Sequence, residues 1–281
     1  MSVKAYLRII RPTNCLIASA AVVIAGLIAV GSQISESIGL FSMVVASCAV
    51  FLFVAAGNTL NDYYDYEVDR VNHPERPIPS GLIQREKALI FAIVLFVPTF
   101  FLGFFINIEC LIVIVVSGAV IVSYERRLKR RGFIGNLQIS WLVASLFLFG
   151  GFSVYAGDLE ALLRVGAAAI LAFFATLGRE ITKDIEDLKG DKDRTTLPMT
   201  RGPSESALLA RFFYGLAIFF SLVLFPARVF GSTYLWFVLF ADAVFVATML
   251  FVLSNPTLSS KLSKVAMVVA LAAFLLGAPV A

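Results

Sequence analysis

The sequence contains little charge, one histidine and three cysteines. Charged residues make up 15% of its 281 residues, whereas an ordinary soluble domain has about 25%. Cys15, Cys48 and Cys110 are isolated, odd in number and within apolar runs, so they predict neither a disulfide framework nor a zinc site. We expect them to pack as small apolar residues. His73, in the loop segment N-H-P-E-R-P, is a poor metal site on its own and is expected to be exposed.

Apolar residues dominate instead, at 59% of the chain with a mean hydropathy of +0.90. A helix needs about 20 mostly apolar residues to cross a bilayer. The alternating pattern of a membrane β-barrel is absent, and runs such as LIVIVVSGAVIVS have helical length. We therefore predict an all-α, polytopic membrane protein, a helix bundle around a central cavity. Nine spans are expected, with 254–264 as an inner loop, at about residues 12–30, 38–60, 87–106, 108–124, 134–155, 161–182, 206–226, 232–253 and 264–280.

The distribution of Lys and Arg predicts the orientation of these spans, because cytoplasmic loops carry an excess of both. With the N-terminus in the cytoplasm, 21 of the 23 Lys and Arg residues fall on the inner side, and only Arg164 and Arg228 do not. The N-terminal segment has a basic start but no clear cleavage site, so we interpret it as mature protein. We expect a multi-pass cell-membrane protein in contact with membrane lipids, with its function on the cytoplasmic face. No feature implies a nucleic-acid or protein partner.

Two acidic segments follow spans 2 and 6, where the apolar runs end. The first, NDYYDYEVDRVNHPERPIPSG, occupies residues 61–81, and the second occupies residues 178–202. Both contain D-x-x-D-x-x-x-D followed by Arg, Pro and Gly, and each carboxylate of the second segment lies 122 residues after its counterpart. Four spans separate the copies, so we interpret them as an internal repeat whose two acidic ends lie on the same face. The carboxylates are Asp62, Asp65, Asp69, Asp184, Asp187 and Asp191.

The spacing of each triplet predicts one acidic stripe, because residues i, i+3 and i+7 lie on one face of a helix. A single triplet could be a solvated helix end. Two facing stripes would place six carboxylates near the low-dielectric core, which is unfavourable unless cations occupy the site. Hard oxygen ligands suit Mg²⁺, which bridges carboxylates to phosphate oxygens. The basic residues that could hold further phosphate oxygens are Arg70, Arg76, Lys183, Lys192 and Arg194.

The first segment, with Asn61 before its three Asp residues, resembles the N-D-x-x-D-x-x-x-D signature of the UbiA-type intramembrane prenyltransferases. R-P-I-P-S-G at 76–81 is similar to the family's R-P-[IL]-P-S-G, and the second segment resembles its D-x-x-D-x-x-x-D partner. The resemblance covers the chain and implies one domain, 1–281, that transfers an isoprenoid chain from a prenyl diphosphate to an acceptor with Mg²⁺. It implies metal ligation by Asn61 and the six Asp residues, with catalytic roles for Asp62, Asp65, Asp184 and Asp187.

Four further residues are candidates for binding the substrates' phosphate groups. Tyr124 and Lys129, in Y-E-R-R-L-K-R-R, resemble the family's Y-S-x-x-x-K/R region, where Glu125 replaces the usual small residue. Arg8 and Arg11, in L-R-I-I-R-P-T-N, resemble its N-terminal R-P-x-x element. Topology alone would also explain these basic residues.

Asp242 lies midway along predicted span 8, where a carboxylate is costly. It is far in sequence position from the acidic segments at the inner ends of the spans. We therefore expect a buried side chain that is hydrogen-bonded or protonated, rather than a catalytic one.

The acidic segments do not determine the acceptor. The compact chain and the stretch G-R-E-I-T-K-D-I-E-D-L-K-G-D resemble most the archaeal family members that prenylate geranylgeranylglyceryl phosphate from geranylgeranyl diphosphate in ether-lipid synthesis. A quinone-pathway aromatic prenyltransferase is the alternative within the family. A divalent-cation transporter is the alternative from another class, although the outer half of the bundle offers few polar residues for an ion path.

Overall fold

The computed structural model describes residues 3–30, 37–155, 157, 159–189, 195–226 and 229–278. Over these residues the regular structure is helical. Short helices stand at the ends of longer ones: α1 (Val3–Ile10), α4 (Tyr66–Asn72) and α9 (Leu197–Arg201). The long helices are α2 (Pro12–Val30), α3 (Ser37–Tyr64), α5 (Arg85–Ile106), α6 (Ile108–Arg126), α7 (Phe133–Ser153), α8 (Leu159–Glu186), α10 (Pro203–Leu224), α11 (Ser232–Phe251) and α12 (Pro256–Gly277).

Nine helices within the described residues are long and apolar enough to cross a membrane. Their number and order confirm the predicted spans. Large apolar side chains face outward, among them Phe101, Phe105 and Trp236, each at least 70% exposed. Such a surface is stable against lipid tails and unstable in water. The chain is therefore an all-α, multi-pass membrane protein.

The predicted inner loop at 254–264 is wrong, because α12 begins at Pro256. Asn255 caps the helix, its side chain accepting a hydrogen bond from the Leu258 backbone N–H at 3.1 Å. Three serines of this segment, Ser259, Ser260 and Ser263, are buried, whereas polar residues such as Asn255 and Thr257 are exposed. Ser259 donates to the carbonyl of Thr248 at 3.0 Å, and Ser263 donates to that of Ser260 at 2.8 Å. Backbone carbonyls thus satisfy hydroxyl groups that sequence reasoning assigned to solvent.

The cysteines and the histidine largely follow expectation. Cys15 and Cys110 are fully buried, and neither they nor Cys48 forms a disulfide within the described structure. Cys48 departs from the prediction because its side chain is exposed on the outer face of α3 rather than packed inside. His73 is exposed, with its Nδ1 3.7 Å from the Glu75 carboxylate.

The two largest apolar cores of the described bundle lie on either side of a central helix pair. One core lies among α7, α8, α10, α11 and α12, around Tyr214 and Tyr234. The other lies among α2, α3, α6 and α7, around Val50 and Phe149. Helices α2 and α7 pack against each other and contribute side chains to both cores. They form the partition between the two halves of the bundle.

A glycine allows the close approach of this central pair. A Cβ at Gly150 of α7 would overlap the carbonyl oxygen of Val22 in α2 and would lie 2.7 Å from the Cβ of Ala25. Two backbones pack this closely only where one helix presents no side chain. Gly150 therefore fixes the distance between the halves.

We expect Gly150→Ala to destabilise the protein by about 1–3 kcal/mol, the usual cost of overpacking a dense interior. The matched control is Gly166→Ala in α8, where a Cβ would meet nothing within 4 Å. That substitution should be neutral or stabilising by up to about 1 kcal/mol, because Ala favours helix more than Gly does. Thermal unfolding in detergent measures both, and equal melting temperatures for the two variants would contradict the packing argument.

Candidate active site

The first acidic motif lies at the end of α3 and crosses a helix break. Asp62 belongs to α3, Asp65 lies in the break before α4, and Asp69 belongs to α4. The expected single helix is therefore interrupted at Asp65. Helical hydrogen bonds nevertheless continue across the break, from Asp65 N–H to the Asn61 carbonyl at 2.9 Å and from Asp69 N–H to the Asp65 carbonyl at 2.8 Å. The three Asp residues therefore still lie on one face, as they would on a continuous helix.

Asp62 and Asp69 are buried, and arginine side chains neutralise them. Arg11 lies 2.5 Å from Asp62, whose side chain is 2% exposed. Arg76 lies 2.6 Å from Asp69 and 3.7 Å from Asp62. A buried carboxylate persists as an anion only with such partners. The R-P-I-P-S-G element thus delivers the cation that joins two carboxylates of the motif.

Asp65 belongs to a second group of contacts built around Glu125. Lys129 pairs with Asp65 and also lies 2.8 Å from Glu125. The amide nitrogen of Asn61 donates to Asp65 at 3.0 Å and to the two Glu125 oxygens at 3.0 and 3.1 Å. Sequence reasoning treated Glu125 only as a departure from a family pattern. Its signal was the i, i+4 spacing to Lys129 at the end of an apolar span.

The second acidic motif is only partly described. Asp184, near the end of α8, is buried and accepts a hydrogen bond from the Asn136 amide at 2.8 Å. Asp187 lies in the 3₁₀ turn Asp187–Lys189 that follows α8. Lys183 lies 3.3 Å from Glu180. The predicted site residues Asp191, Lys192 and Arg194 lie outside the described residues.

One segment, residues 125–136, contacts both motifs. Glu125 and Lys129 contact the first motif, and Asn136, at the start of α7, contacts Asp184 of the second. Between them, Arg131 forms a backbone bridge with Thr195, just after the second motif. Gly132 permits this approach with a φ of 52°, because a Cβ there would lie 2.9 Å from the Thr195 carbonyl oxygen. The two motifs therefore lie at the same end of the bundle, which we call the motif end.

Two predicted basic residues contact other groups. Arg8 donates to the Glu75 carbonyl at 3.2 Å, and Arg70 lies 3.6 Å from Glu67 with both side chains exposed. Tyr124 lines a cavity beside Glu125. In the part of the chain that the structure describes, no three His, Cys, Asp or Glu side chains are arranged to hold a metal ion. The first-motif carboxylates are paired with basic side chains instead.

An apolar cavity of about 510 Å³ opens beneath the first motif. Arg11, Asn61 and Glu125 line its polar end, and side chains such as Phe53 and Phe149 line the remainder. Along α3 it extends from Asn61 to Ala49, about 18 Å at 1.5 Å per residue. The arrangement suits an amphiphile with a charged head at the motif end and a long apolar chain.

Comparison with known proteins matches residues 17–278 to the UbiA prenyltransferase family. The chain belongs to this family. It is similar to digeranylgeranylglyceryl phosphate synthases from Methanosarcina barkeri, at 41% identity over 98% of this chain and 99% of that one, and from Methanosphaera stadtmanae, at 37% identity over 97% and 98%. As a UbiA family member it is an intramembrane prenyltransferase, which disfavours the cation transporter.

Solved structures of the UbiA family agree with the fold. A structure of digeranylgeranylglyceryl phosphate synthase superposes with a TM-score of 0.88 at 33% identity, covering 98% of both chains. A UbiA homologue from Archaeoglobus fulgidus, bound to GPP and Mg²⁺, superposes with a TM-score of 0.69 at 16% identity, covering 98% of this chain and 100% of that one. The latter supports the fold alone.

We expect Arg76→Ala to destabilise this UbiA family member, because it leaves Asp62 and Asp69 short of a partner. Breaking a fully buried ion pair costs roughly 3–5 kcal/mol, and the partial exposure of Arg76 should reduce the loss to about 2–3 kcal/mol. Arg70→Ala is the matched control, since the Arg70–Glu67 pair is exposed and contributes at most about 1 kcal/mol. Thermal unfolding without added metal distinguishes them, and a small effect at Arg76 would contradict the assigned ion pairs.

Proposed function

We propose that this protein catalyses the Mg²⁺-dependent transfer of a geranylgeranyl group from geranylgeranyl diphosphate to geranylgeranylglyceryl phosphate, on the cytoplasmic side of the membrane. One observation carries the proposal: the paired carboxylates and cations of the first motif lie beside the polar end of an apolar cavity, which Arg11, Asn61 and Glu125 line. Relatives that share 37–41% identity over nearly the whole chain bear the corresponding name. The distribution of Lys and Arg in the sequence supports the cytoplasmic side and a cytoplasmic N-terminus.

The oxygen donors of the two motifs have the chemistry that Mg²⁺ prefers, although the first-motif carboxylates are paired with basic side chains and no three of the described carboxylates are gathered around one point. Those of the first motif are partly or fully buried beside basic side chains. The residues proposed to hold the metal, all oxygen donors, are Asn61, Asp62, Asp65, Asp69, Asp184, Asp187 and Asp191. Bound Mg²⁺ would supply Lewis-acid stabilisation of the diphosphate. The catalytic roles of Asp62, Asp65, Asp184 and Asp187 and the repeat relating the motifs belong to the same proposal.

The basic residues of the site have two possible partners. In the structure described here, the first-motif carboxylates form ion pairs with three basic side chains: Arg11, Arg76 and Lys129. A guanidinium or ammonium group forms strong charge-assisted hydrogen bonds with phosphate oxygens as well. We propose that these three side chains transfer their contacts to the diphosphate when it binds. When the donor binds, the carboxylates would be neutralised by Mg²⁺ and the basic side chains by the diphosphate.

The reaction exchanges one carbon–oxygen bond for another. The bond between C1 of the prenyl chain and the diphosphate oxygen breaks, and an ether bond forms between C1 and the acceptor's hydroxyl oxygen. The hydroxyl proton leaves with the diphosphate. The apolar cavity holds the donor chain and excludes water from the allylic carbon, which would otherwise be captured as the alcohol. Cations around the diphosphate stabilise negative charge where it develops.

The direct test is an acceptor screen with the purified protein, geranylgeranyl diphosphate and Mg²⁺. Mass spectrometry should detect the diether phosphate from geranylgeranylglyceryl phosphate, with stoichiometric diphosphate release. Product from a quinone-pathway aromatic acid, and none from the glycerol phosphate lipid, would replace this function with the aromatic alternative.

In the same assay we expect Asp62→Asn and Asp65→Asn each to lower the rate by about a hundred- to a thousandfold, the typical loss when a group stabilising transition-state charge is removed. Glu75→Gln is the control, because Glu75 is exposed in the loop beyond the motif. Near-normal turnover by the Asp variants at saturating Mg²⁺ would exclude their proposed roles.

A further inference from the structure

A second and larger cavity, of about 800 Å³, lies on the other side of the α2–α7 partition. Helices α8, α10, α11 and α12 complete its wall. Its lining is apolar except for five residues: Asn14, Arg179, Ser221, Asp242 and Lys264. Neither acidic motif lines it, and the roles proposed above for the donor do not require it.

The two basic residues of this cavity lie towards the motif end. Arg179 precedes Asp184 by five residues on α8, and Lys264 lies eight residues into α12. From Lys264 the lining continues along α12 to Phe274, about 15 Å deeper at 1.5 Å per residue. The cavity therefore has a cationic entrance and a long apolar interior.

The deeper polar groups of the second cavity satisfy one another. Ser221 donates to Asp242 at 2.7 Å, and the Tyr234 hydroxyl donates to the Ser221 carbonyl at 2.9 Å. Asp242 is thus buried and hydrogen-bonded, as its position in the sequence predicted. These groups leave the deep part of the cavity suited to an apolar chain.

Arg179 has unused hydrogen-bonding capacity at the entrance. One of its terminal nitrogens donates to Glu180 at 2.6 Å, but its Nε is buried and has no hydrogen-bond partner among the described residues. Burying an unsatisfied donor of a charged group is costly, so this nitrogen is a candidate contact for a bound anion. Lys264 is exposed and forms no ion pair among the described residues, whereas Arg179 is paired with Glu180. The groups that could contact an anion are therefore the Nε of Arg179 and the ammonium group of Lys264.

The two cavities share one wall. Asn14, Val143 and Leu146 line both, so the cavities lie side by side with polar ends that include Asn14 in common. Two chains placed in them would bring their head groups together at the motif end. A small aromatic acceptor requires no second apolar cavity of this length, whereas a lipid acceptor does.

We propose that the second cavity binds the acceptor, with the lipid's phosphate on Arg179 and Lys264 and its polyprenyl chain in the apolar interior. This inference rests on the function proposed above and extends it. It also places the acceptor phosphate away from the four further candidates that the sequence left open to either substrate: Arg8, Arg11, Tyr124 and Lys129. Arg11 and Lys129 serve the donor side, because they already lie on carboxylates of the first motif.

The test measures two affinities of the purified full-length protein in detergent: that for geranylgeranylglyceryl phosphate alone and that for geranylgeranyl diphosphate with Mg²⁺. Arg179→Gln and Lys264→Gln should each raise the Kd for the acceptor by about ten- to a hundredfold and leave that for the donor unchanged. Lys261→Gln is the matched control, because Lys261 is exposed one turn earlier on α12 and does not line the cavity.

A pair of cavity-filling variants tests the chain sites independently of charge. Ala172→Phe fills the second cavity and should weaken acceptor binding only, whereas Val54→Phe fills the first and should weaken donor binding only. Melting temperatures identify any cavity-filling variant that misfolds. In that case the affinities of Arg179→Gln and Lys264→Gln for the acceptor test the assignment.

Two results would overturn the inference in distinguishable ways. If the parent protein binds and prenylates the acceptor but Arg179→Gln and Lys264→Gln behave like Lys261→Gln, the cavity assignment fails and the proposed function stands. If the parent protein neither binds nor prenylates this lipid, the proposed function and the assignment fail together.

Discussion

The structure depends on the neutralisation of carboxylates at the motif end of an apolar bundle. Asp62 and Asp69 are almost completely buried, and the protein compensates with Arg76 from the adjacent loop and with Arg11, which is 51 residues from Asp62 in sequence. Arg76 ties α3 and α4 to the R-P-I-P-S-G loop, and Arg11 ties α3 to the junction between α1 and α2. Unpaired, these buried charges would destabilise the bundle; paired, they hold its motif end together.

This compensation also prepares the site for a substrate rich in negative charge. A diphosphate with Mg²⁺ brings cations for the carboxylates and anions for the arginines and Lys129, so both sets of buried charges can remain neutralised throughout binding. The partition formed by α2 and α7 keeps the two apolar cavities apart. These helices approach closely at Gly150. The polar ends of both cavities lie near Asn14, which lines each of them.

The membrane spans and the acidic motifs could be predicted from the sequence, because the length of apolar runs and the spacing of carboxylates are local signals. The nine spans, the acidic motifs and the buried state of Asp242 followed from them. The start of α12 could not be predicted, since Ser259 and Ser263 look polar until their backbone acceptors are known. Asn136 was missed for a related reason, because its partner Asp184 is 48 residues away in sequence; of the partners of Glu125 only Lys129 is local, and Asn61 is 64 residues away. The second cavity is formed by six helices and has no local signature.

The central claim is that basic side chains hold the first-motif carboxylates until the donor replaces them. An experimental structure with Mg²⁺ and a non-hydrolysable analogue of geranylgeranyl diphosphate tests it most directly. The account predicts that Lys129 and Arg11 move from Asp65 and Asp62 to phosphate oxygens, with metal on the carboxylates and the prenyl chain in the cavity beneath Asn61. Intact Lys129–Asp65 and Arg11–Asp62 pairs in that complex, with the diphosphate bound elsewhere, would contradict it.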